Sequence, residues 1–215
     1  MNMKRRTQLI KVDPENPEKK FIKTVVKTLK NGGIIAYPTD TCYGLGVDAT
    51  NVRAIKDLRE LKERPIEQPI SIVVSTVSMA EKYAVLNDKI LRIIKTFMPG
   101  PLTIVTHKKS TVPDILNKDA VSFRIPANKV ALAIIKSLGK PLTAPSANPR
   151  GLEPAYTIDK LLHYFNGKID MIVDAGNLPK VKPSTIVDLR YGKPRLLREG
   201  PVPFEKILNV WEKES

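Results

Sequence analysis

A chain of 215 residues can bury about 70% of its unfolded surface, so neither disulfides nor a structural metal is needed to hold it together. The single Cys42 excludes an internal disulfide and a cysteine-built zinc cage, and no apolar run reaches the ~18 residues of a membrane span. Thirty-six basic side chains against 22 acidic ones leave a net charge of +14, which fits nucleic acid, nucleotide or acidic-metabolite partners as well as a plain lysine-rich surface.

The basic start Met1-Asn2-Met3-Lys4-Arg5-Arg6 is followed by no apolar stretch, so no secretory signal is read, and one free cysteine suits a reducing cytoplasm. Leu9–Val12 reads as a short edge strand. Asn16-Pro17 has the N-cap and N1 pattern of a helix start; Phe21, Ile22, Val25, Val26 and Leu29 give the apolar stripe, and Asn31-Gly32-Gly33 a left-handed end. Ile34–Tyr37 is a buried strand that Pro38 stops. Thr39, Asp40 and Thr41 then crowd together, and Tyr43-Gly44-Leu45-Gly46 lets backbone approach a ligand. Ligands sit at such strand exits in open α/β sheets, although the run also reads as an ordinary hydroxyl-rich turn.

Asn51 caps the next helix, with Val52, Ile55, Leu58 and Leu61 as its buried face and Arg53, Lys56, Arg59, Lys62 and Arg64 opposite. Basic residues at its end fit an anion site or a simple complement to the helix dipole. Ser71–Val74 is a buried strand. Asn87 caps a helix with Ile90, Leu91, Ile94 and Phe97 inward, and Met98–Pro101 turns into a strand over 102–106. Strand 121–126 carries Arg124 in its middle, with Phe123 and Ile125 on the other face if alternation holds. The nearest acid in sequence is Asp119, so a local ion pair for Arg124 is poorly supplied and a distant one stays open. Asn128 caps a helix ending at Gly139. Leu142–Pro145 leads into Ser146-Ala147-Asn148, Thr157 starts a helix to about Phe165, and 171–173, 184–188 and 195–198 are strands before a terminal helix. No repeat or linker divides the chain. The expected architecture is α/β, with a twisted mixed parallel/antiparallel sheet flanked by helices around a basic cavity, in one domain over 1–215.

Several chemistries are excluded by elimination. There is no G-x-x-x-x-G-K-[ST] loop, no complete dinucleotide fingerprint and no histidine pair at metal-ligand spacing. His107 and His163 stand alone and read as surface or packing residues, so no Ser-His-Asp arrangement can be built. Phosphate chemistry would then rest on Lys, Arg, hydroxyls and backbone donors.

Those groups form a set of motifs. Pro38-Thr39-Asp40-Thr41-Cys42-Tyr43-Gly44-Leu45-Gly46, Lys62-Glu63-Arg64, Val121–Pro126 ending in Arg-Ile-Pro, Ser146-Ala147-Asn148, Pro183-Ser184-Thr185-Ile186-Val187-Asp188 and Leu197-Arg198-Glu199-Gly200 stand in order from about residue 9 to 205. Together they resemble the YrdC/TsaC domain, the threonylcarbamoyl-AMP synthases. The resemblance implies a nucleotidyltransferase that combines L-threonine, bicarbonate and ATP into threonylcarbamoyl-AMP and pyrophosphate, for threonylcarbamoyl-adenosine in tRNA. It implies Lys62, Arg64, Ser146 and Asn148 as the catalytic set. ATP would meet Lys62, Arg64, Gln68, Ser146, Asn148 and Arg198, and threonine would meet Thr41, Tyr43, Arg124, Ala144 and Ser184. Magnesium would arrive with ATP, held mainly by phosphates and water; no resident metal and no tightly bound cofactor are expected. Partners beyond the substrates would be tRNA or a downstream threonylcarbamoyl transferase, with no membrane role.

The departures from the family pattern are specific. Gln68 stands where many members carry Asn, Val73 where many carry His, and Asp40-Thr41-Cys42 where Glu-Thr-Val is common. Val12–Pro17 is similar to the YciO-like branch, which leaves the alternative of a nucleotide- or RNA-binding relative with a different carboxylate substrate. The additional C-terminal domain of longer relatives is not expected. Low aromatic content argues against single-stranded RNA stacking.

Overall fold

The computed structural model describes residues 6–213, so most of the basic N-terminal stretch lies outside the described residues. β1 (Gln8–Lys11) is the expected edge strand. α1 (Lys19–Lys30) starts later than Asn16-Pro17 predicts. The Asp13 carboxylate accepts from the Glu15 and Asn16 amides at 2.8 and 3.2 Å and winds that stretch into a turn of its own. After β2 (Ile35–Pro38) the chain reverses and pairs back antiparallel as β3 (Tyr43–Gly46). Gly46 permits this pairing, because a Cβ there would stand 2.9 Å from the Tyr37 ring.

α2 (Val52–Leu61) begins where Asn51 accepts from the Ala54 amide at 3.1 Å. Val52 is exposed, against expectation, and Arg59 is buried. β4 (Ile72–Val73) is two residues long, and α3 (Val77–Ala80), a single turn capped by Thr76, was not foreseen. α4 (Asp88–Phe97) follows its Asn87 cap, then β5 (Leu102–His107) and β6 (Ala120–Arg124). α5 (Lys129–Leu138) runs from its Asn128 cap to Gly139 at φ +72°. β7 (Leu142–Thr143), α6 (Ile158–Phe165) with its Thr157 cap, β8 (Met171–Asp174), β9 (Thr185–Asp188), β10 (Arg195–Arg198) and α7 (Phe204–Glu212) complete the order.

The mixed parallel and antiparallel pairing is as expected, but the strands divide into two sheets, ordered β1-β8-β2-β3 and β10-β9-β5-β6-β4-β7. The first is parallel except for the β2–β3 hairpin; the second alternates parallel and antiparallel pairs. The chain through β3 stitches them together. Gly44 bridges Ser146, Asp48 bridges Leu142, and the Val47 amide donates to Thr143 Oγ1 at 3.0 Å. Alternation along β2 sends Ile35 and Tyr37 into one core with α1 and α5, and Ile34 and Ala36 into the larger core. Each large aliphatic side chain buried this way contributes about 1.5–3 kcal/mol.

Candidate active site

A cavity of about 520 Å³ lies against one face of the six-stranded sheet. Period-two alternation supplies that face: Thr103 and Val105 from β5, and Ala120, Ser122 and Arg124 from β6, point into it. Phe123 and Ile125 point the other way into the core, as alternation predicts. The turn after β2 contributes Thr39, Thr41 and Cys42, and the loop after β7 contributes Ala144, Pro145 and Ser146. The wall carries four arginines, Arg64, Arg124, Arg190 and Arg198, and no aspartate or glutamate. Arg190 is spent on Asp188, to which it donates from Nε and Nη2 at 3.0 and 2.7 Å.

At one corner, cations are tied down by main-chain oxygens. Arg59, read from sequence as part of a solvated face, is 6% exposed. It donates to the Ile115, Pro65 and Gln68 carbonyls at 2.8, 2.6 and 3.1 Å, because segments 64–70 and 115–116 fold over that side of α2. Arg64, at the cavity wall, donates to the Pro69 carbonyl at 2.6 Å. Lys62 is buried behind the loop, and its ammonium donates to the carbonyls of Ser146 and Asn148 and to Asn148 Oδ1, the first at 2.8 Å and the last at 3.1 Å. Burial, and after it the Arg64 charge, push the Lys62 pKa down to about 8.

The Ser-x-Asn motif closes on itself. Ser146 Oγ donates to Asn148 Oδ1 at 2.6 Å, and Asn148 Nδ2 donates to the Leu152 carbonyl at 2.6 Å. Both side chains, read from the sequence as phosphate contacts, here hold the loop in shape. The loop is also pinned to β3, with the Ala147 amide on the Tyr43 carbonyl at 2.8 Å and the Leu45 amide on the Pro145 carbonyl at 2.8 Å.

A second corner is built differently. Arg124 is buried; its Nη2 donates to Thr41 Oγ1 at 3.3 Å, and its Nη1 stands 3.2 Å from Asp40 Oδ1. That pair is in charge contact but off the hydrogen-bonding direction: Nη1 and both Asp40 oxygens are buried with no hydrogen-bond partner among the described residues. The open question of a distant ion-pair partner for Arg124 is thus answered by Asp40, brought over by the β2–β3 hairpin. Next to this corner, Arg198 donates from Nε to the Ser184 carbonyl at 3.0 Å and from Nη2 to Ser184 Oγ at 3.1 Å. Ser184 Oγ is 2.9 Å from Thr103 Oγ1. Gly200 makes the approach possible, since a Cβ there would stand 2.2 Å from the Pro183 carbonyl oxygen.

Of the residues singled out in the sequence, Thr41, Arg64, Arg124, Ala144, Ser146, Ser184 and Arg198 meet at one cavity. Lys62 and Asn148 stand behind its wall. Gln68 is exposed and does not itself line the wall. Tyr43 points away from the cavity: it is fully buried, and its hydroxyl donates to the Gly176 carbonyl at 2.7 Å. Alternation in β3 explains this, because the neighbouring Gly44 takes the cavity-facing position. Val73 is also off the wall; it packs with Tyr37 and α5 in the second core. Arg59 and Asp40 had no assigned role in the sequence. His107 packs its ring against Tyr191 and His163 against Tyr164, consistent with packing roles.

A family profile labelled Sua5/YciO/YrdC, described as "Telomere recombination", matches residues 27–200. The chain belongs to the Sua5/YciO/YrdC family. The chain is 37% identical over 206 residues to a Methanocaldococcus jannaschii protein named "Putative threonylcarbamoyl-AMP synthase", covering 94% of this chain and 97% of that one. It is 35% identical to the Pyrococcus abyssi threonylcarbamoyl-AMP synthase over 91% of its length, and spans 58% of that longer relative. Among solved structures, Pyrococcus abyssi Sua5 complexed with L-threonine superposes with a TM-score of 0.90 at 35% identity, over 95% of this chain and 61% of that one. Escherichia coli YciO gives 0.87 at 26% identity, over 94% of this chain and 100% of that one. The Sua5/YciO/YrdC motifs found in the sequence are thus the segments that line or brace one cavity. Among the described residues no helix is long and apolar enough to cross a membrane.

Proposed function

We propose that this chain is a threonylcarbamoyl-AMP synthase, a nucleotidyltransferase acting on L-threonine, bicarbonate and ATP. One observation carries the reading. The family motifs converge on a cavity whose wall holds four arginines and several hydroxyls but no carboxylate, with the charge divided between two differently built corners. Relatives bearing this activity's name, one of them with a solved complex containing L-threonine, support it.

In this reading the triphosphate lies along Arg64, Ser146 and Arg198, with Lys62 and Asn148 holding the Ser146 loop. The threonine carboxylate faces Arg124, and Thr41, Ser184 and the Ala144 backbone surround the rest of the molecule. The Ala144 amide already donates to the Ser71 carbonyl at 2.8 Å, so its carbonyl is what it offers a ligand. The threonine amine adds to bicarbonate and, with loss of water, gives an N-carboxylate. That carboxylate oxygen attacks the α-phosphorus of ATP, and the bond to the pyrophosphate oxygen breaks. The protein supplies no nucleophile; it positions the reactants and stabilises charge on the transferred group and leaving pyrophosphate. With no carboxylate on the wall, magnesium would be carried by the phosphates as part of the substrate. The product would pass to an enzyme that transfers the threonylcarbamoyl group to tRNA, with AMP as the leaving group.

Pyrophosphate release from ATP tests this, with threonine and bicarbonate omitted in turn. Release that needs both supports the synthase. Release without threonine, or with another carboxylate in its place, points to a YciO-like relative with a different substrate.

A further inference from the structure

Asp40 belongs to none of the roles above, yet its burial is poorly compensated. Its side chain is 9% exposed, and both oxygens are buried without a hydrogen bond. A buried carboxylate left so poorly satisfied adds little to stability, and a well-packed neutral residue would serve the fold at least as well. Its position gives it another effect. The Arg64 and Arg198 guanidinium groups face main-chain and hydroxyl oxygens, and their charge is available to an anion. At the Arg124 corner the Asp40 carboxylate stands 3.2 Å from the guanidinium. There Asp40 offsets the Arg124 charge, and a bare anion is held by Arg124 while being repelled by Asp40. A ligand that carries an amine beside its carboxylate relieves that repulsion.

We propose that Asp40 is a positioning and specificity residue that makes the Arg124 corner select an α-amino acid over a carboxylate or other anion lacking the amine. It does so in two ways. Together with Thr41 it holds the guanidinium in place, and its charge keeps phosphate oxygens out of the amino-acid subsite. The inference rests on the reading that Arg124 receives the substrate carboxylate.

The test compares L-threonine with 3-hydroxybutyrate, which is threonine without its amine. Direct titration of threonine, and competition by 3-hydroxybutyrate, are measured on the wild-type chain, Asp40→Asn and Asp40→Glu. The preference for threonine over 3-hydroxybutyrate is expected to fall about tenfold in Asp40→Asn, equivalent to ~1.4 kcal/mol, while the KM for ATP stays within about twofold. Asp40→Glu keeps the carboxylate and is expected to retain the preference. An unchanged preference in Asp40→Asn overturns the proposal, as does a loss of preference in Asp40→Glu; the latter variant decides the matter if Asp40→Asn does not fold. Equal weakening of both ligands would reduce Asp40 to a structural role and also overturn it. If the wild-type chain binds no threonine, the reading of the corner fails instead, a result distinct from any change between variants.

Discussion

The two corners of the cavity satisfy buried cations in opposite ways. Around Lys62 and Arg59, ammonium and guanidinium groups are saturated by carbonyl oxygens of the loops they support. Around Arg124, the guanidinium meets one hydroxyl and a carboxylate in poor hydrogen-bonding geometry. Saturated cations are scaffolding: they hold segments 64–70 and 146–148 where a ligand will find them. An unsaturated cation has capacity left for the ligand itself. Burial alone does not separate these roles, since Arg59, Lys62 and Arg124 are almost equally hidden; the count of oxygens around each does.

The strongest way to break this contrast is to remove a saturated cation. Lys62→Met strips the ammonium from three oxygens of the 146–148 loop, and turnover is expected to fall about 10²-fold through misplacement of Ser146 and its neighbours. Steady-state pyrophosphate release, with amide exchange of residues 146–155 followed in parallel, checks it; faster exchange at Ala147 and Ala155 is expected. Full activity with unchanged exchange would remove Lys62 from the site.

Arg59→Lys should chiefly cost stability. It keeps the charge but loses the planar fork, leaving buried carbonyls short of donors at about 2–3 kcal/mol. At about 2–4 °C per kcal/mol for a chain of this size, thermal melting reads that as a clear drop. A melting point within a degree of wild type would show that the loops close without Arg59.

A smaller effect comes from pH. Lys62 titrates near 8 in the fold, below its ordinary 10.5, because burial disfavours its charge. Above that pH a neutral amine has two hydrogens for three oxygens, so kcat/KM for ATP should decline a few-fold with a midpoint near 8. Stability moves the other way. Between about 8 and 10.5 the unfolded chain binds more protons at this position than the fold, so Lys62's contribution to stability rises with pH across that window. Melting and activity followed from pH 7 to 10 should therefore diverge, and in Lys62→Met the alkaline decline should vanish.

Much of this was legible in the sequence where the determining chemistry is local. The Asn51, Asn87, Asn128 and Thr157 caps stand where expected, because a cap needs only its own next turn. Two-residue alternation on β6 placed Arg124 in the cavity and Phe123 in the core. What failed was set by distant chain. Helical periodicity marked Arg59 and Lys62 as lying opposite the apolar stripe, but it carried no sign that loops 64–70 and 146–148 would cover that side. Tyr43 belonged to a motif, yet the unforeseen β3 strand turned it inward and gave the cavity to Gly44. Asp40 was visible beside Thr41, but its partner lies on β6, and only the pairing of distant segments shows that the two meet.

The most direct test of two corners for two substrates is Arg124→Lys, assayed by pyrophosphate release with threonine and ATP varied separately. Lysine keeps the positive charge and loses the fork that pairs with a carboxylate. The KM for threonine is expected to rise about tenfold or more, equivalent to at least ~1.4 kcal/mol, with the KM for ATP nearly unchanged. An equal rise for both substrates, or a rise for ATP alone, would contradict the division of the cavity and move Arg124 out of the amino-acid corner.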